Sequence, residues 1–180
     1  MEIVDSTCEE GLPHTSGPNT IRIPKTFWEA ADSLRRKGVL RHERIHLLQR
    51  RNPDAWLKFY KEWNYTLHNN PPTEYPDAKK IRGNPDTDPP FACWAGRYWF
   101  FPLYSNTVTP TLKNAEVQIW DAHTKRTIDP PEQWRAFFCQ GDKCPHQWEH
   151  PAEIAAEYWT DIEHWKTPAS VLLRNFILNL

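Results

Sequence analysis

Glycine is scarce in this chain, with 6 residues in 180. The 4 Cys, at positions 8, 93, 139 and 144, are too few and too scattered for a disulfide framework. No charge of one sign dominates. The net charge of −1 leaves no strong field to draw the whole molecule to nucleic acid or to an acidic membrane, so neither is expected as a partner. No run of 18 apolar residues is present, which excludes a transmembrane helix. The first residues, Met1-Glu2-Ile3-Val4-Asp5, lack the basic start and apolar run of a signal peptide, and an intracellular (cytoplasmic) location is expected. No internal repeat is seen. What the chain has in quantity is ring and imino acid, 10 Trp and 17 Pro. Bulky rings for a core and many stiff, irregular connections follow from that. At 39% hydrophobic and 25% charged the composition is globular, and 180 residues suffice for one domain, 1–180, with a substantial core.

Residues 1–24 read as an irregular segment with a short strand at Thr20–Ile23. Thr26-Phe27-Trp28-Glu29 has the form of a capping box, which predicts a helix to about Lys37, with Gly38 ending it. A central helix then runs from about Val39 to Arg51. It is apolar on several sides, as a buried helix is, and its interleaved arginines need partners or a route to solvent. Asn52-Pro53-Asp54 opens a third helix to about Leu67, carrying Trp56, Leu57, Tyr60 and Trp63 as a core stripe. Residues 68–90, with six Pro, form a long loop that drapes over something. Phe91–Tyr104 reads as one or two strands broken near Gly96 and Pro102. Glu116–Trp120 reads as a strand with a hairpin partner at Arg126–Ile128. Gln133–Gln140 is compatible with either element type. A helix opens at His150-Pro151 and runs through Asp161, His164 and Trp165, and a last one spans about Ala169–Leu178.

The chemistry concentrates in Arg41-His42-Glu43-Arg44-Ile45-His46. In His-Glu-x-x-His on a helix, His42 and His46 stand one turn apart on one face, where two imidazoles can hold one Zn²⁺, and Glu43 can reach a water on the metal. A catalytic zinc takes a third protein ligand. Gln49 and Asn52 stand where a metzincin would have Gly and His, so the third ligand must come from elsewhere. Glu153-Ile154-Ala155-Ala156-Glu157 supplies a candidate. Glu153 and Glu157 share a helix face, and the small Ala152, Ala155 and Ala156 permit a close approach to the His helix. Glu153 would ligate the metal, and Glu157 would accept a hydrogen bond from the free ring nitrogen of His42 or His46. Cys139 and Cys144 are expected as a buried thiol pair or a local disulfide. Their spacing to His146 is loose for a second metal site.

His-Glu-x-x-His followed by Glu-x-x-Ala-Glu resembles the gluzincin zinc metallopeptidases, the thermolysin-like and lethal-factor-like group. The resemblance covers the two motif helices and their order. It implies an α+β, zincin-like domain with a small antiparallel sheet, and a zinc-dependent peptidase, more an endopeptidase than an exopeptidase, acting on protein or peptide. His42, His46 and Glu153 would bind Zn²⁺, and Glu43 would be the general base. The oxyanion-stabilising residue would be His146, with His150 and Tyr158 as competitors. An edge strand that aligns substrate would be Phe91–Tyr104, although it follows the His helix where the usual order has it before. His-Glu-x-Ile-His-x-x-Gln-Arg also resembles a pattern in proteins of large DNA viruses. The rival reading is therefore a non-enzymatic structural or binding protein that keeps a zincin-like fold, virion-associated.

Overall fold

The computed structural model describes residues 1–111 and 114–180. The architecture is α+β, with a small sheet, a larger sheet and helices between and around them. The chain begins with β1 (Glu2–Val4), β2 (His14–Ser16) and β3 (Thr20–Pro24), which form a three-stranded sheet in the order β1-β3-β2. β1 lies parallel to β3 and β2 antiparallel to it. Only β3 matches an expected strand. β1 and β2, at three residues each, are too short for an alternating pattern to reveal them.

The helices after β3 break at a different place from the one the sequence suggests. α1 (Lys25–Ala30) is short, and α2 (Ser33–Arg51) runs unbroken through Gly38. Asp32 caps α2, its carboxylate accepting the Arg35 amide at 2.8 Å. The capping box at Thr26 does not form, because the Thr26 amide donates to Oγ of Ser6 instead. Gly38 has another use. A Cβ built there would stand 3.4 Å from Cγ2 of Thr160, so α2 passes close to a later helix at this point.

α3 (Pro53–Glu62) ends earlier than expected, and the chain turns at Asn64 (φ 63°) into β4 (Tyr65–His68). β4, β5 (Phe91–Trp94), β6 (Tyr98–Tyr104), β7 (Ala115–Asp121) and β8 (Arg126–Ile128) form an antiparallel sheet in chain order. β5 and β6 are interior strands, so residues 91–104 offer no edge on which to align a peptide. Pro102 is tolerated within β6 because it lies past the end of β5. There its carbonyl accepts the Arg82 amide at 2.7 Å. α4 (Glu132–Phe138), α5 (Pro151–Thr160) and α6 (Pro168–Leu178) complete the fold. α5 stops at Thr160, before Asp161, His164 and Trp165. Among the described residues no helix is long and apolar enough to cross a membrane.

The main core joins α2, α3, α4, α5 and α6 to one face of the larger sheet through Ile45, Trp56, Trp134, Tyr158, Leu173 and Phe100, all buried. Leu47, on another side of α2, packs on Ile21 and Ile23 of the small sheet. α2 is thus buried from two directions, which is why its apolar residues spread around the wheel. Its arginines find carbonyl and polar partners at the margins. Arg51 reaches Pro18 and Asn19, and Arg50 reaches Pro85 and Asp86.

His150 caps α5 and is buried. Its Nδ1 accepts the Ala152 amide at 3.1 Å, so Nε2 carries the hydrogen and donates to the Pro89 carbonyl at 3.1 Å. Burial pushes its pKa down to about 4, against the opposing pull of the Glu153 charge. Between that value and the ordinary ~6.5 the unfolded chain holds a proton that the folded chain does not. Folding stability linked to His150 is therefore complete above pH ~6.5 and is lost as pH falls toward 4, by about 3 kcal/mol in full. The difference in unfolding free energy between wild type and His150→Asn, measured with urea, should shrink in the variant's favour by that order from pH 7 to pH 4. A difference independent of pH would contradict the neutral cap.

Candidate metal centre

α2 carries His42 and His46 on the face turned to α5, and Glu153 projects from the first turn of α5 to meet them. Nε2 of His42 and Nε2 of His46 are 3.1 Å apart. Oε2 of Glu153 lies 3.1 Å from the former and 3.5 Å from the latter. Ala152, Ala155 and Ala156 are buried where the helix packs, and a larger side chain at these positions would have to find space in a filled core. The three residues that sequence spacing singled out thus converge and form a group able to hold a metal ion.

Two further contacts fix how these donors face. Gln49 donates through Nε2 to the Ala152 carbonyl at 3.0 Å, which turns its Oε1 toward His46. Nδ1–H of His46 donates to that oxygen at 2.8 Å, leaving Nε2 to face Glu153 and His42. Nδ2 of Asn84 donates to Oε1 of Glu153 at 2.8 Å, leaving Oε2 for the imidazoles. The partner expected for an imidazole, Glu157, is engaged elsewhere. It accepts the backbone amides of His146 and Gln147 at 2.7 and 2.9 Å. Gln49 takes the orienting role because it lies three residues past His46 on the same helix face. That spacing was legible in the sequence, whereas Asn84 carried no signal within a Pro-rich loop.

The electrostatics favour a cation among these donors. Burial works against a charge on His46, but the Glu153 carboxylate outweighs it and pushes the imidazole up to about 10. Reciprocally, and again against burial, the imidazoles hold Glu153 well below the usual carboxylate range. A site whose fields favour a positive charge this strongly suits a metal ion as well as a proton. Glu43 is buried beside the group, and its Oε2 has no hydrogen-bond partner. Burial pushes its carboxyl up to about 7, with the imidazoles of His46 and His42 pulling the other way. That is the range in which a carboxylate exchanges protons at neutral pH.

Residues 82–86 of the Pro-rich segment pass across the site as a strap. Beside Asn84, the strap brings Asp86, whose carboxylate forms a second close group with Glu43 and His46. Oδ1 of Asp86 accepts the Thr15 amide at 3.0 Å and the Thr15 hydroxyl, and pairs with Nη2 of Arg50 at 3.2 Å. The site opens onto a cleft of about 790 Å³ with His42, Glu43 and Glu153 in its lining, and Phe27, Leu34 and Val39 supplying an apolar wall. His146 lies on the rim of this cleft with its side chain 83% exposed and Nδ1 4.0 Å from Glu157. Its competitors are occupied. His150 caps α5, and the buried Tyr158 hydroxyl donates to the Phe138 carbonyl. Cys139 and Cys144 are joined in a disulfide, which removes them as metal ligands.

No known protein family, curated protein or solved structure matches the chain. The site is therefore read from its own geometry. Removing the group that orients a metal-binding imidazole typically costs 10–100-fold in metal affinity. Gln49→Ala should lower the affinity of the group for a divalent metal ion by about that factor in chelator competition, with the circular dichroism of the fold retained. Unchanged affinity would contradict the orienting role.

Proposed function

We propose that the chain is a zinc-dependent metallopeptidase with a zincin-like domain, acting as an endopeptidase on protein or peptide. The observation that carries this reading is the convergence of His42 Nε2, His46 Nε2 and Glu153 Oε2 within 3.5 Å, beside a buried Glu43 with an unpartnered oxygen. Two imidazoles and a carboxylate are the donor set of a catalytic zinc that keeps a position for water. Zinc held by His42, His46 and Glu153 would supply a water with a pKa near ~7 and a Lewis acid for the scissile carbonyl. Glu43 takes the proton of the attacking water and delivers it to the leaving amine, a transfer suited to a carboxyl held near neutrality. Gln49 and Asn84 hold His46 and Glu153 in register while this occurs. His146, on the rim, would approach a substrate oxygen once a peptide lies in the cleft.

An extended substrate needs a strand edge to pair with, and β2 supports that role. It lies at the edge of the small sheet, ahead of α2 in the chain, and His14 lines the cleft. The Thr15 amide on that strand is bonded to Asp86, so a peptide pairing there would displace the strap's carboxylate.

Purified protein should hold one zinc per chain. His46→Ala and Glu153→Ala should lose it, whereas Glu43→Gln should retain it and lose cleavage of a peptide library by about 10³-fold. Equal zinc content in the wild type and both ligand variants would refute the donor set. Stoichiometric zinc with no cleavage of any peptide would favour the structural, virion-associated alternative.

A further inference from the structure

A second cavity, of about 290 Å³, lies on the other side of the strap. Arg82 and Asn84 line both spaces, so a single passage of chain separates this cavity from the cleft. Ile81, Phe91 and Pro102 give it apolar walls, and Glu149 stands in its lining. Glu149 is 7% exposed and lies four residues ahead of Glu153, just before the His150 cap of α5. Burial raises its carboxyl pKa, and so do the charges of Glu153 and Glu157. Its own backbone amide and the charge of Arg82, which lines the same cavity, oppose this only in part. Among the described residues no cation comes within ion-pair distance of it. A buried carboxylate in a field of other carboxylates, without an ion-pair partner, is costly to ionise. An adjoining cavity with apolar walls matches a side chain that has an aliphatic stem and a cationic head.

We propose that this cavity is the subsite for a lysine or arginine side chain of the peptide substrate, with Glu149 as its counter-ion. The stem lies along Ile81, Phe91 and Pro102, and the ammonium or guanidinium reaches the carboxylate. Asn84 bonds Glu153 and lines both this cavity and the cleft, so a side chain passing the strap from the cleft into the cavity belongs to a substrate residue near the scissile bond. The assignment rests on the peptidase reading for its substrate, but the cation pocket is measurable without turnover.

The full-length protein would be titrated at pH 8 with n-butylguanidinium and with its neutral isostere n-butylurea, followed by NMR, for wild type and Glu149→Gln. The wild type should bind the guanidinium at least tenfold more tightly than the urea, and Glu149→Gln should lose that margin. The zinc-loaded wild type should cleave peptides carrying Arg or Lys beside the scissile bond with kcat/KM at least tenfold above norleucine peptides, a margin that Glu149→Gln also loses. Equal binding of the two probes by the wild type, a result independent of how the variant folds, overturns the proposal. Cleavage without preference for a basic residue overturns it as well. A clear probe margin with no peptide cleaved leaves the cation pocket standing and removes the peptidase reading.

Discussion

The carboxylate of Glu153 sets the terms for much of the rest of the molecule. It is 2% exposed, and a lone carboxylate at that depth would cost several kcal/mol to keep ionised. Two imidazoles from α2 and one amide from the strap offset that cost. None of the three comes from α5 itself, so ionising Glu153 requires α2, α5 and residues 82–86 to be in place together. The small residues of α5, the passage of Gly38 beside Thr160 and the Gln49 bridge to the Ala152 carbonyl all serve that one contact.

The aromatic core gives this contact its rigidity. α3 stacks Phe59 on Phe176 of α6 and sets Trp56 edge-on to the same ring, and Trp63 meets Phe138 and Tyr158 edge-on. Trp134 donates to the Tyr65 hydroxyl at 2.8 Å and ties α4 to the edge of the larger sheet. Large rings with few torsions lose little conformational freedom on burial, and interlocked packing of this kind holds the helix axes on which ligand geometry depends. The polar group left without a partner in the site is Glu43, whose proton the proposed chemistry moves. An unpartnered buried carboxylate oxygen beside converging donors is the kind of exception that calls for a functional explanation.

The sequence showed the ends of the candidate metal site more clearly than its middle. His42, His46 and Glu153 were legible because helical spacing fixes which side chains share a face, and short residues mark a helix that packs closely. The hairpin of β7 and β8, and the helices at Pro53, Pro151 and Pro168, were legible from alternation and caps. Local signals failed where tertiary contacts decide. Gly38 reads as a helix stop but is a point of close approach, and the Thr26 capping box gives way to the bond from the Thr26 amide to Ser6. Phe91–Tyr104 reads as a candidate edge but sits inside the sheet, because strand order is not written in strand composition. Asn84 and Asp86 could not be found at all. Their loop has no period, and their partners lie about 70 positions away in sequence.

The central claim is that two imidazoles and one carboxylate share one metal ion. X-ray absorption at the zinc edge on protein loaded with one equivalent reads that shell directly. The account predicts two imidazole nitrogens and light oxygen donors at about 2.0–2.2 Å, with imidazole scattering reduced by half in His42→Ala. A shell containing sulfur at about 2.3 Å, a shell with no imidazole scattering, or a spectrum unchanged in His42→Ala would contradict it.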